Sequence, residues 1–171
     1  MGGSATTARS FRVGWYSAIF EVVNEELGVR HRASGVRETA MTKVVQYSDL
    51  SVWQKAMDLV EAIYHLTRTF PNEERFGLIS QMQRAAVSIP SNIAEGYGRK
   101  STKAYINYLS ISYGSLLELE TQIQIGCRLQ YLDRTTMDNL LVQTNEVGRM
   151  LNGLQQSLTR QSVAWPLTPG A

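Results

Sequence analysis

From Ser51 onward, apolar positions return every three or four residues through four successive stretches, the period of helices that each bury one face. The first stretch begins near Ser51 and aligns Val52, Ala56, Leu59, Ile63 and Leu66. It stops before Pro71, because proline disfavours helical geometry at the residue preceding it. The second begins after Pro71-Asn72-Glu73-Glu74-Arg75, where Glu73 and Glu74 suit the positive end of a helix dipole. The third follows Ser101 or Thr102, both good N-caps, and aligns Tyr105, Leu109, Ser112, Leu116, Leu119, Ile123 and Cys127. The fourth opens on Asp133 as N-cap, with Leu132 and Met137 placed to staple its entry. It continues through Leu140, Thr144, Val147, Leu151, Leu154 and Leu158. No strand-like alternation competes. Short links between long helices favour antiparallel neighbours, so the pattern predicts an all-α, up-down-up-down four-helix bundle over residues 41–160.

The stretch Ser88-Ile89-Pro90-Ser91-Asn92-Ile93-Ala94-Glu95-Gly96-Tyr97-Gly98-Arg99-Lys100-Ser101 tests that reading. Leu78, Met82, Ala85, Ala86 and Ile89 lie before the proline; Ile93 and Tyr97 follow it in the same phase. One continuous second helix is therefore expected, bent at Pro90, whose ring removes a donor and crowds the Ala86 carbonyl. Such a defect costs ~3 kcal/mol in an isolated helix. The Ser88 hydroxyl and packing from neighbouring helices are expected to offset it. Gly96 and Gly98 are expected to end the helix, since glycine accepts left-handed cap geometry. The tail Gly96-Tyr97-Gly98-Arg99-Lys100-Ser101 imitates the end of a phosphate-binding loop. That motif needs a glycine where Ile93 stands, and a strand where this chain has a helix. What survives is a basic group, Arg99, Lys100 and Lys103, near a helix start whose free amides favour an anion. Arg84 adds a further charge on the second helix. These four residues are the candidate nucleic-acid contacts.

Residues 1–40 read differently. Trp15, Ile19, Val23 and Leu27 recur every four residues and Gly28 follows as a stop, which predicts a short amphipathic helix within an N-terminal extension. Met41 looks like a natural start. Residues 161–171, with Pro166 and Pro169, read as a disordered tail.

Polar residues form their own pattern. Gln81, Arg84, Ser88, Asn92 and Glu95 recur at spacings of three and four beside the apolar stripe of the second helix. Ser115, Glu118 and Glu120 supply polar groups on the third. The structural reading is an interhelical hydrogen-bond network that fixes register; the functional reading is a contact surface for a ligand or nucleic acid. The third helix also carries a second apolar stripe of Tyr108, Ile111, Ile125 and Leu129. A helix apolar on more than one face needs more than one packing partner, so a homo-oligomer is expected.

Catalytic chemistry finds little support. A di-metal bundle site uses Glu-x-x-His pairs, whereas His65 has its nearest glutamate, Glu61, four residues away. Glu118 and Glu120, two apart on a helix, point in different directions. Ser115 lacks a nearby histidine and the turn of a nucleophile elbow. Cys127 lies on the apolar stripe, as an inert buried thiol would. No catalytic residue, metal or cofactor is expected.

Composition narrows the setting. The 171 residues are 43% hydrophobic and 19% charged, with a formal charge of only +2. Any nucleic-acid surface must therefore come from local clustering. The single cysteine precludes an intramolecular disulfide framework, and no apolar run approaches the ~20 residues of a membrane span. A cytoplasmic protein without membrane contact is expected.

The segments "FPNEERFGLISQMQRAAVSIPSNIAEGYGR" and "GSLLELETQ" resemble the small four-helix bundles known as 23S rRNA intervening sequence proteins. The resemblance runs from about Tyr47 to Thr159. Gln81, Arg84, Ala85, Ala86, Ser88, Pro90, Asn92, Glu95, Gly96, Ser115, Glu118 and Glu120 match its pattern. A relative in diversity-generating retroelements is a ring-forming accessory protein that binds nucleic acid and a reverse transcriptase. The resemblance thus implies a homopentamer, RNA or DNA as partner, and a reverse transcriptase as a further one. Two positions depart from the pattern. Gln83 stands where many members carry a second basic residue, and Gln130 where they often have glycine before the tyrosine matching Tyr131. The expected function is that of a non-enzymatic, oligomeric, nucleic-acid-associated accessory protein. The alternative is a structural or protein-interaction module without a nucleic-acid role.

Overall fold

The computed structural model describes residues 46–164. A 3-10 turn at Tyr47–Asp49 leads into helix α1 (Ser51–Thr67), and a second at Asn72–Phe76 leads into α2 (Leu78–Gly98). After a short turn come α3 (Thr102–Arg128) and α4 (Arg134–Ala164); no strand occurs among the described residues. The helix expected around Trp15–Leu27, the expected start at Met41 and the last residues of the expected tail lie outside the described residues. Helix α4 runs on to Ala164, past the boundary expected at Arg160.

Each helix packs on its sequence neighbours, and α4 returns to α1, so the four enclose one core. Pairs of contacts fix the directions. Ser112 on α3 meets Ile89, while Ser115 meets Ser88, so α3 runs against α2. Gln155 on α4 reaches Ile106, and Gly148 lies beside Leu116, so α4 runs against α3. Gln83 on α2 reaches Thr67 at the end of α1, while Tyr97 near the end of α2 meets Tyr47 just before α1. The bundle is up-down-up-down. Its interior holds the residues of the apolar pattern, among them Val52, Leu59, Met82, Ile93, Leu116, Ile123 and Leu151, together with a fully buried Tyr105.

The helix starts follow their capping residues. Ser101 accepts from the Ala104 amide at 3.4 Å, and Asp133 from the Thr136 amide at 2.7 Å. The latter bond holds the Asp133 carboxyl below the ordinary aspartate range. At α2 the cap comes from upstream, where Glu74 Oε2 accepts from the Leu78 amide at 2.9 Å. The Tyr131 hydroxyl donates to the other oxygen of Glu74 at 3.1 Å, which ties together the two links at this end of the bundle.

Helix α2 passes through Pro90 without interruption, and the proline itself is buried. The Ser88 hydroxyl does not act on the backbone as expected. It receives bonds from Asn92 Nδ2 and Ser115 Oγ instead. Side-chain donors reach the three carbonyls after that of Ala86: Ser91 to Val87 at 2.8 Å, Asn92 to Ser88 at 2.7 Å, and Ser112 to Ile89 at 2.9 Å.

The helix ends correct a second expectation. Gly96 is buried, and a Cβ there would lie 2.6 Å from Tyr108 Cβ and 2.8 Å from Tyr105 Cδ2. Its role is close approach of α2 to α3, not termination. Gly98 is the last helical residue, and the left-handed position falls instead on Lys100, at φ 52°. Helix α3 closes similarly, with Gln130 at φ 62°. There the Gln130 amide donates to Cys127 O at 3.0 Å and the Tyr131 amide to Gly126 O at 2.9 Å, the paired bonds of a helix terminus that prefers glycine.

Candidate functional site

The C-terminal part of the α2 polar stripe, Ser88, Asn92 and Glu95, lies at the seam with α3 and separates into clusters, whereas Arg84 lines a groove toward α1. In the middle, Asn92 Nδ2 donates to Ser88 Oγ at 2.9 Å, and Ser115 Oγ of α3 donates to the same hydroxyl at 2.9 Å. Toward the α2–α3 turn, Glu95 Oε1 accepts from the Tyr108 hydroxyl at 2.8 Å and from Arg99, whose guanidinium also donates to Tyr108 at 2.7 Å. The same guanidinium lies over the Tyr108 ring, 5.2 Å from its centroid. The Tyr108 bond and then the Arg99 bond hold the Glu95 carboxyl below the ordinary glutamate range. Glu95 correspondingly raises the Arg99 pKa.

Helix α3 supplies one more pair, Gln122 Nε2 donating to Glu118 Oε1 at 3.0 Å. Gln122 is buried and its own carbonyl oxygen has no partner among the described residues. The Gln81 and Glu120 side chains make no hydrogen bond there. Tyr108, placed by its periodicity on an apolar stripe, instead contributes its hydroxyl to a polar cluster. The Glu95-to-Arg99 spacing of one helical turn was the available signal, but it names no partner on another helix.

The basic residues do not form one surface. Arg99 is neutralised by Glu95, whereas Lys100 and Lys103 are exposed and make no ion pair among the described residues. Arg84 lies fifteen positions before Arg99, about 22 Å along the helix at 1.5 Å per residue. Residues 46–160 hold as many acidic as basic side chains, so the bundle carries no net formal charge.

Apolar exposure is better organised. Ile111, Ile125 and Leu129 form a stripe along the outside of α3, each between 42% and 50% exposed. A groove of about 660 Å³ opens between α1 and α2, lined by Tyr64, Phe76, Ile79 and Val87 with Arg75 and Arg84 beside them. Among the described residues no group of three His, Cys, Asp or Glu side chains is placed to hold a metal ion. No described helix is long and apolar enough to cross a membrane. Cys127 is half-buried against the core.

Residues 48–153 match the family described as 23S rRNA-intervening sequence protein. The chain belongs to this family. A crystal structure from Bacteroides thetaiotaomicron, described as a protein with unknown function from the S23 ribosomal protein family, superposes with a TM-score of 0.58. The two are 24% identical over 61% of this chain and 98% of the other, a likeness that shows the shared fold. No curated protein matches the sequence. The matched span begins within the first 3-10 turn and ends in α4, so family membership covers all four helices.

Proposed function

We propose that this member of the 23S rRNA-intervening sequence family is a non-enzymatic, oligomeric accessory protein that associates with nucleic-acid backbones. The observation that carries the reading is the pair Lys100 and Lys103, exposed and without ion-pair partners among the described residues, at the turn into α3. Arg99 supports the turn through Glu95 and Tyr108 and adds little free charge. Arg84 lies apart from this turn, in the groove between α1 and α2. One copy offers too few phosphate contacts to bind well, and an oligomer multiplies them by repeating the turn around a rim. The α3 stripe supports assembly, and the resemblance to ring-forming retroelement accessory proteins supports five copies, with a reverse transcriptase as further partner.

The test is fluorescence anisotropy of labelled RNA and single-stranded DNA from low to moderate salt. Affinity is expected to fall steeply with salt and to tolerate changes in sequence, because counterion release carries the binding. Changing Lys100 and Lys103 to alanine together is expected to flatten that slope while helix content stays the same. The second reading, a protein-interaction module, is favoured by the charge-neutral bundle and its exposed apolar faces. Absence of binding by the intact assembly at the lowest salt decides for it.

A further inference from the structure

The described surface has two exposed apolar faces that differ in charge. The first is the groove between α1 and α2, where Phe76 is 90% exposed and Tyr64 and Val87 about 40%. Arg75 stands over the Phe76 ring at 5.6 Å from its centroid, and Arg84 lines the same groove. Neither arginine has an ion-pair partner among the described residues. The second face is the outer stripe of α3. Helical spacing puts the exposed carboxylate of Glu118 on that stripe, seven residues from Ile111 and seven from Ile125.

We propose that these are the two halves of one contact between copies of this chain. The α3 stripe of one copy seats in the Phe76 groove of the next, with Glu118 facing Arg84. The inference rests on the oligomeric reading above and adds which surfaces meet. Charge selects this pairing over its alternatives. Two α3 stripes packed on each other would bring Glu118 toward Glu118, and two grooves would oppose arginines, whereas stripe on groove joins unlike signs and covers apolar surface on both sides. Because the faces differ, the contact is head-to-tail: every copy offers one of each, and a chain of such contacts closes into a ring or runs on.

The experiment uses two full-length variants, Phe76→Asp to spoil the groove and Ile125→Asp to spoil the stripe. Both positions are solvent-exposed, and circular dichroism verifies that helix content is retained. By size exclusion with light scattering, each variant alone is expected at the mass of a single 19.2 kDa chain. Mixed, they are expected to form a pair and nothing larger, since one intact stripe and one intact groove remain. As a second measurement, Glu118→Arg and Arg84→Glu are each expected to weaken assembly at least tenfold, and their combination in one chain to restore it. If the unaltered protein assembles but the mixture stays unpaired, this contact is wrong while the oligomeric reading stands. A single-chain mass for the unaltered protein at high micromolar concentration overturns both.

Discussion

Gln130 holds φ at 62°, a conformation that costs an L-residue about 1–2 kcal/mol relative to ordinary helix geometry and costs glycine almost nothing. Gln130→Gly is therefore expected to raise stability by about 1 kcal/mol, a part of the strain being offset by the greater freedom of unfolded glycine. The urea midpoint of the bundle measures it; a lowered midpoint contradicts the assignment. Gly96 tests the opposite sign. Helix propensity alone favours alanine by about 1 kcal/mol, yet the added methyl would press on the backbone-proximal Cβ of Tyr108 as well as the Tyr105 ring. Overpacking of that kind costs about 1–3 kcal/mol, so Gly96→Ala is expected to lower the midpoint. The departure from glycine at position 130 was legible in the sequence. The role of Gly96 was not, because a glycine at a helix end looks the same whether it bends the backbone or admits a tyrosine nine or twelve positions later.

At the scale of elements, the four helices were legible because their buried positions keep step over many turns and their starts carry Ser101, Asp133 and the Glu73–Glu74 pair. Interhelical hydrogen bonds were legible only as a polar stripe. Ser88, Asn92 and Ser115 do meet, while Gln81 and Glu120 stay outside, since spacing reports which face a residue shares and not which rotamer reaches across. Ser112 illustrates the difference: read as a stripe position, it is fully buried and bonds the Ile89 carbonyl next to Pro90. Ser112→Ala is expected to cost about 1–2 kcal/mol by withdrawing a buried donor, against little for Ser91→Ala at the exposed Val87 carbonyl. The Glu95–Arg99–Tyr108 link between α2 and α3 gives a pH signature. Its carboxyl titrates lower folded than unfolded, so its contribution is fully present above the unfolded value of about 4.3 and is lost as pH falls through the folded one. Glu95→Gln is thus expected to melt below the unaltered protein at neutral pH, with the difference closing below about pH 4. A difference that persists unchanged into acid would mean that the carboxylate charge plays no part.

The whole molecule separates two kinds of surface by their response to salt. The described core is built from residues between Leu50 and Leu158, so deleting residues 1–40 is expected to leave cooperative melting intact in circular dichroism. On that scaffold the candidate phosphate contacts are cationic and exposed, and the faces proposed to join copies are chiefly apolar with a single opposed charge pair. Counterion release makes the first weaken steeply as salt rises, whereas exposed charge pairs are screened and apolar burial is not. Between about 0.05 and 0.5 M salt the screening length shrinks from above 10 Å to a few ångströms, so RNA should dissociate while the assembled mass changes little. Light scattering and anisotropy on the same samples read both at once. If assembly and RNA binding fall together along one salt curve, the nucleic acid itself bridges the copies and the apolar faces do not hold them. If the assembly persists and RNA departs, the oligomer is the preformed scaffold on which Lys100 and Lys103 are multiplied.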